Sequence, residues 1–73
     1  MTVACGYEVV CLSRGFGIVK SRERRVDEFG HARGRVLVFY DVCEVFPDGS
    51  LGDTLESFKS FAKAERYLAD LVR

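Results

Sequence analysis

Short runs of apolar, β-favouring residues mark strands in the first two-thirds of the chain, interrupted by a polar stretch over 21–34, and a helical apolar period appears only near the end. Tyr7-Glu8-Val9-Val10-Cys11-Leu12 reads as a first strand. Ser13-Arg14-Gly15 reads as a short turn in which Gly15 takes positive φ, and Phe16-Gly17-Ile18-Val19-Lys20 as the returning strand. Plain alternation would put Tyr7, Val9 and Cys11 on one face of the first strand and Glu8, Val10 and Leu12 on the other.

The longest β-favouring run is Arg35 to Phe46, rich in valine, phenylalanine and tyrosine. Fully extended it would span about 40 Å. A compact chain of this length has a radius of gyration near ~11 Å, so the segment must bend, bulge or overhang. It is also apolar on both parities. Val36, Val38, Tyr40 and Val42 share one; Leu37, Phe39, Cys43 and Val45 share the other, interrupted by Asp41. Three arrangements are open for the second set: a bulge near Asp41 that turns it inward, cover by a loop, or a surface for a partner. Asp41 is the place where a bend is expected.

Between these strands, Ser21 to Gly34 shows no period. It carries four arginines, three carboxylates, the one histidine and two glycines, and is expected to be a mobile charged loop over residues 21–34. Such a loop is either a solvated connection, pinned in part by Val26 and Phe29, or a basic binding element. In the second case Arg22, Arg24, Arg25, Arg33 and Arg35 offer donors to carboxylates or phosphates.

After the long strand, Phe46-Pro47-Asp48-Gly49-Ser50 is a strong turn signal, because Pro47 presets φ, Asp48 bonds nearby backbone and Gly49 accepts left-handed geometry. A last strand follows over about 50–58. Ser60 is placed to cap a helix running to the C-terminus, with Phe61, Ala64, Leu68, Leu71 and Val72 as its apolar stripe and Arg66–Asp70 as an outer ion pair. The order β-β-loop-β-β-α makes an α+β fold: one domain over residues 1–73, an antiparallel sheet of three to four strands with one amphipathic helix on one face.

Composition narrows the picture. Formal net charge is zero, which removes the simplest argument for a polyanion binder. The charge is nevertheless polarised, with seven Lys/Arg against four Asp/Glu in residues 1–40 and four against seven in residues 41–73. No apolar run has the length of a membrane span, and the N-terminal residues do not read as a signal peptide. Cys5, Cys11 and Cys43 lie in strand-like surroundings and read as buried reduced thiols, which fits a reducing cytoplasm. They and His31 lack zinc-ligand spacing, so no metal is expected. No base is placed beside a nucleophile, Asp41 and Glu44 lie on opposite parities, and Gly15-Phe16-Gly17 joins two strands without opening a helix. Neither a catalytic activity nor a cofactor is expected.

Two resemblances add to this. Residues 55–69, L-E-S-F-K-S-F-A-K-A-E-R-Y-L-A, resemble the end of the small β-β-β-α arm-binding domains of phage integrases. That likeness implies a DNA-binding domain that reads DNA from its sheet face with basic and aromatic residues, although the C-terminal half here is net acidic. Over the whole chain, the opening M-T-V-A-C-G-Y-E-V-V, the stretch S-R-E-R-R-V-D-E-F-G-H and the ending Y-L-A-D-L-V-R resemble the small transcription regulators of lytic Xanthomonas phages. This second resemblance implies a protein of the host bacterial cytoplasm that binds host RNA polymerase at the N-terminal region of the β′ subunit, near the RNA exit channel and the β flap. It further implies a block on σ-dependent promoter recognition and read-through of intrinsic terminators. It assigns no residue a role. The contacts expected here, Arg22, Arg24, Arg25, Leu37 and Phe39, come from the chain's own pattern of rim charge and surplus apolar surface.

Overall fold

The structure is a computed structural model that describes residues 2–73. Four strands, β1 (Thr2–Ser13), β2 (Phe16–Val26), β3 (Ala32–Val45) and β4 (Leu51–Phe58), form one antiparallel meander in the order β1-β2-β3-β4. The helix α1 (Phe61–Leu71) follows and packs on one face. The fold is therefore α+β, with a four-stranded antiparallel sheet and one C-terminal helix.

The connections follow from turn chemistry. Arg14 (φ 48°) and Gly15 (φ 84°) form a two-residue hairpin loop with both φ values positive, the type I′ geometry whose twist matches that of the flanking strands. Arg14 is the one non-glycine with positive φ among the described residues, and its guanidinium donates from Nη1 to the Val72 carbonyl at 3.2 Å. The hairpin loop thereby caps the C-terminal end of the helix with a cation, where one is favoured. In the β3–β4 connection, Asp48 Oδ1 accepts from the Ser50 N–H (2.9 Å) and the Ser50 hydroxyl (2.6 Å), while the Gly49 N–H donates to the Phe46 carbonyl (2.8 Å).

The core lies under the helix. Ile18 and Val42, cross-strand partners on β2 and β3, are fully buried against Ala64 and Leu68, with Cys11, Phe16, Tyr40, Phe58, Tyr67 and Val72 packed around them. The Phe61 ring meets Tyr40 edge-on at 5.7 Å, and Phe58 meets Tyr67 at 5.5 Å. Two details depart from the sequence pattern. Leu71, expected in the stripe, is 38% exposed, while Tyr67, not expected there, packs against the core beside Val72, and Asp70 pairs with Arg73 at 3.6 Å instead of with Arg66. Ser60 sits at the N-cap position, but its side chain makes no capping bond.

The long segment keeps its length by overhanging. The molecule measures 46 × 26 × 16 Å, and its radius of gyration, 13.7 Å, exceeds the compact value. The residues expected to form a loop at 21–34 are instead the end of β2, a short turn and the start of β3, which together make an arm reaching past the helix. No bulge occurs at Asp41 in the β2–β3 ladder, which runs without interruption from Phe16↔Glu44 to Glu23↔Leu37. The extra residues of β3 come further toward the arm, around Gly34 (φ 74°), and those of the β3–β4 pair lie on β4.

β1 carries two bulges of its own, one at Cys5–Gly6 and one at Val10. The second shifts the parity of everything after it. Cys11 pairs with Ile18 on the helix side, and Leu12 joins Tyr7 and Val9 on the opposite face. Plain alternation, which grouped Cys11 with Tyr7 and Val9, is corrected by this one inserted residue.

Truncating the core should be severe. Leu68→Ala is expected to cost about 2–5 kcal/mol, a large part of the roughly 4–11 kcal/mol available to a chain of this size. Urea unfolding followed by circular dichroism checks it.

Candidate functional site

Alternation along β2 and β3 gives the sheet two unlike faces. Phe16, Ile18, Tyr40 and Val42 look toward the helix. Val19, Ser21, Glu23, Leu37, Phe39, Asp41 and Cys43 look the other way, where no helix packs among the described residues, although Val19 and Cys43 are themselves buried there. This second face is the candidate site.

Its centre is built around Asp41. Ser21 on β2 donates its hydroxyl to Asp41 Oδ2 at 2.8 Å, and Ser57 on β4 donates to Oδ1 at 2.7 Å. Both serines are cross-strand neighbours of that region, so the ladder itself sets the carboxylate's position. Val19 (5% exposed) and Cys43 (3% exposed) flank it as an apolar floor. Burial, helped by the nearby Asp41 charge, pushes the Cys43 thiol pKa up, so this sulfur is held as a neutral, inert thiol. The face curves into a groove of about 250 Å³, bordered by Tyr7 on the β1 side and by Leu51 and Thr54 on the β4 side. Tyr7 is 68% exposed.

The residues expected as contacts are not all brought together. Leu37 and Phe39 are half-buried on the uncovered face, and Arg25 shares it further along the arm. Arg22 and Arg24 fall on the opposite parity of β2. Arg22 is engaged there, its Nη2 bonding Glu8 Oε1 at 3.0 Å. Sequence reasoning treated the three arginines as one loop cluster; once 21–26 is a strand, alternation divides them. It also read Asp41 as a bend, whereas Asp41 is the polar centre of the face. The register that brings Ser21 and Ser57 to it could not be read from spacing.

The arm's tip is an electrostatic unit. Asp27 accepts from the backbone N–H groups of Phe29 (3.0 Å) and His31 (2.9 Å) and from Arg33 Nε (3.0 Å), closing the β2–β3 turn around Gly30 (φ 81°). The His31 bond chiefly, with those from Arg33 and Phe29, holds the Asp27 carboxyl below the ordinary carboxylate range against an opposing effect of desolvation. Arg25 lies directly opposite Arg33, a like-charge pairing that the Asp27–Arg33 contact partly offsets. Cys5 is exposed and Cys11 only partly covered, so of the three cysteines Cys43 alone is buried as expected.

Among the described residues no group of metal-ligating side chains converges, and no helix is long and apolar enough to cross a membrane. Comparison with protein families, with curated proteins and with solved structures finds no match for the chain.

Because the Asp27 pKa is lowered on folding, the turn's contribution is fully present above the unfolded value, near 3.8, and is lost as pH falls through the lower folded value. Amide resonances of Phe29, Gly30 and His31 should therefore move toward random-coil positions as pH falls below about 4. Asp27→Asn should abolish that acid transition while leaving the resonances of the Ile18–Val42 core in place.

Proposed function

We propose that the protein acts by occupying a surface: it binds host RNA polymerase in the bacterial cytoplasm, blocks σ-dependent promoter recognition and promotes read-through of intrinsic terminators. The contact is the N-terminal region of the β′ subunit, near the RNA exit channel and the β flap. The whole-chain resemblance to phage transcription regulators motivates this assignment. The observation that supports it most is the sheet face turned away from the helix, where Leu37 and Phe39 lie half-buried beside the Asp41 groove with no helix above them among the described residues.

A surface of this kind needs no catalytic group. An extended segment of the partner can lie across the strands or along the β1 edge, gaining main-chain hydrogen bonds and apolar contacts. Exposed Arg25 and Arg33 at the arm's tip steer the encounter and set register. Burying Leu37 and Phe39 in the interface would recover roughly 1.5–3 kcal/mol for each side chain fully removed from water.

A second reading, a small DNA-binding domain, is favoured by one observation. Arg24, Arg25, Arg33 and Arg35 are all exposed on the arm, and two of them face each other across the ladder. An anion would relieve that opposition.

Tagged protein incubated with host lysate at low salt should retain RNA polymerase, and Leu37→Ala/Phe39→Ala should reduce the retained polymerase at least tenfold while circular dichroism stays unchanged. A lysate in which the polymerase flows through would end this reading. For the DNA reading, mobility shift across salt concentrations should give a log–log slope of about −3 to −4 if the four arginines contact phosphates; weak binding with a flat slope removes it.

A further inference from the structure

The groove on the uncovered face contains a charge that the chain leaves unanswered. The ion pairs among the described residues involve Glu8, Asp27 and Asp70, and none of them includes Asp41. Arg22 also borders the groove, but its guanidinium is held by Glu8 at 3.0 Å. Asp41 is half-buried already, and its two oxygens are each fixed by a serine hydroxyl, at 2.8 and 2.7 Å. An ionised carboxylate offers about four acceptor sites, so two serine bonds leave it half satisfied.

Any partner that covers this face must remove water from Asp41. A partner bringing only apolar or neutral groups would leave a desolvated, unpaired charge, which is strongly unfavourable. A partner bringing a cation would convert the same carboxylate into an anchor. We propose that the groove takes an arginine side chain from an extended segment of a protein partner, its guanidinium on Asp41 and its aliphatic stem over Val19 and Cys43.

Arginine fits better than lysine for three reasons. The two oxygens are held in place by hydroxyls from strands on either side, a fixed pair that suits the planar fork of a guanidinium. The guanidinium is more weakly hydrated than an ammonium, so it enters a half-buried site at lower cost. The exposed ring of Tyr7 at the rim also offers a face on which the cation can stack. The inference rests on the uncovered face being the contact surface, as proposed above, and not on the identity of the partner.

The test needs no polymerase. Uniformly ¹⁵N-labelled protein is titrated with N-acetyl-arginine amide, with the neutral isostere N-acetyl-citrulline amide and with N-acetyl-lysine amide, and backbone amide shifts are followed. Arginine should give saturable shifts at Tyr7, Ser21, Asp41 and Cys43. Lysine should bind several-fold more weakly, and citrulline should leave these amides in place. Asp41→Asn should weaken arginine at least tenfold, its own spectrum reporting whether the fold persists. If it does not persist, Tyr7→Leu, at an exposed position, should still weaken arginine several-fold. Equal shifts with citrulline, or arginine shifts that map away from the groove, overturn the proposal. So do shifts that change on dilution of the ligand-free protein, which would show the groove filled by an arm arginine of a second copy. Polymerase capture that persists when the arginine titration fails discards this ligand and keeps the polymerase reading; the reverse pattern keeps the groove and discards the polymerase.

Discussion

Among the described residues one helix of 11 residues packs on a sheet whose longest strand has 14, and the difference in reach between them governs the rest of the molecule. At about 1.5 Å per residue the helix is roughly 16 Å long, against a long molecular dimension of 46 Å. The largest buried cluster therefore lies where α1 meets β2, β3 and β4, around Ile18, Val42, Ala64 and Leu68, with Val19 and Cys43 buried on the far side of the sheet. Outside that patch the strands are held by ladder hydrogen bonds, by cross-strand side-chain pairs and by the Asp27 turn. The arm and the far face are what remains once the helix has taken its share, and both candidate binding surfaces lie there.

That distribution also explains what could be read from the sequence. Elements set by local chemistry were legible: the Arg14-Gly15 loop, the Pro47-Asp48-Gly49 turn, and a helix whose apolar stripe begins after Ser60. The two apolar parities of 36–45 likewise pointed to a face the helix does not cover. The arm was not legible. Alternation arises when one face of a strand is buried and the other is wet, and Ser21–Val26 and Ala32–Arg35 lie beyond the reach of the helix. With no core to satisfy, their sequence shows no period and resembles a loop.

Register was the other gap. The bulges at Val10, around Gly34 and along β4 are invisible as spacing, yet each decides which side chains meet. Val10 is the clearest case, since one inserted residue carries Cys11 into the core and turns Leu12, 65% exposed, onto the opposite face. The Asp41–Ser21–Ser57 cluster depends on register in the same way. It draws one residue from each of three strands, at positions 20 and 16 residues apart in the chain.

The β1 edge carries a hazard that its bulges contain. A free edge strand of 12 residues, with Val3, Tyr7, Val9 and Leu12 exposed and Glu8 its only charge, has the composition of a template for edge-to-edge aggregation. Many proteins guard such an edge with lysine or proline, and β1 has neither. The irregularities at Cys5–Gly6 and at Val10 break the row of free backbone groups instead, so an incoming strand finds regular pairing only over the short stretch from Gly6 to Val9. A long amyloid-like zipper is thereby denied its length, while a brief, selective strand addition is still allowed.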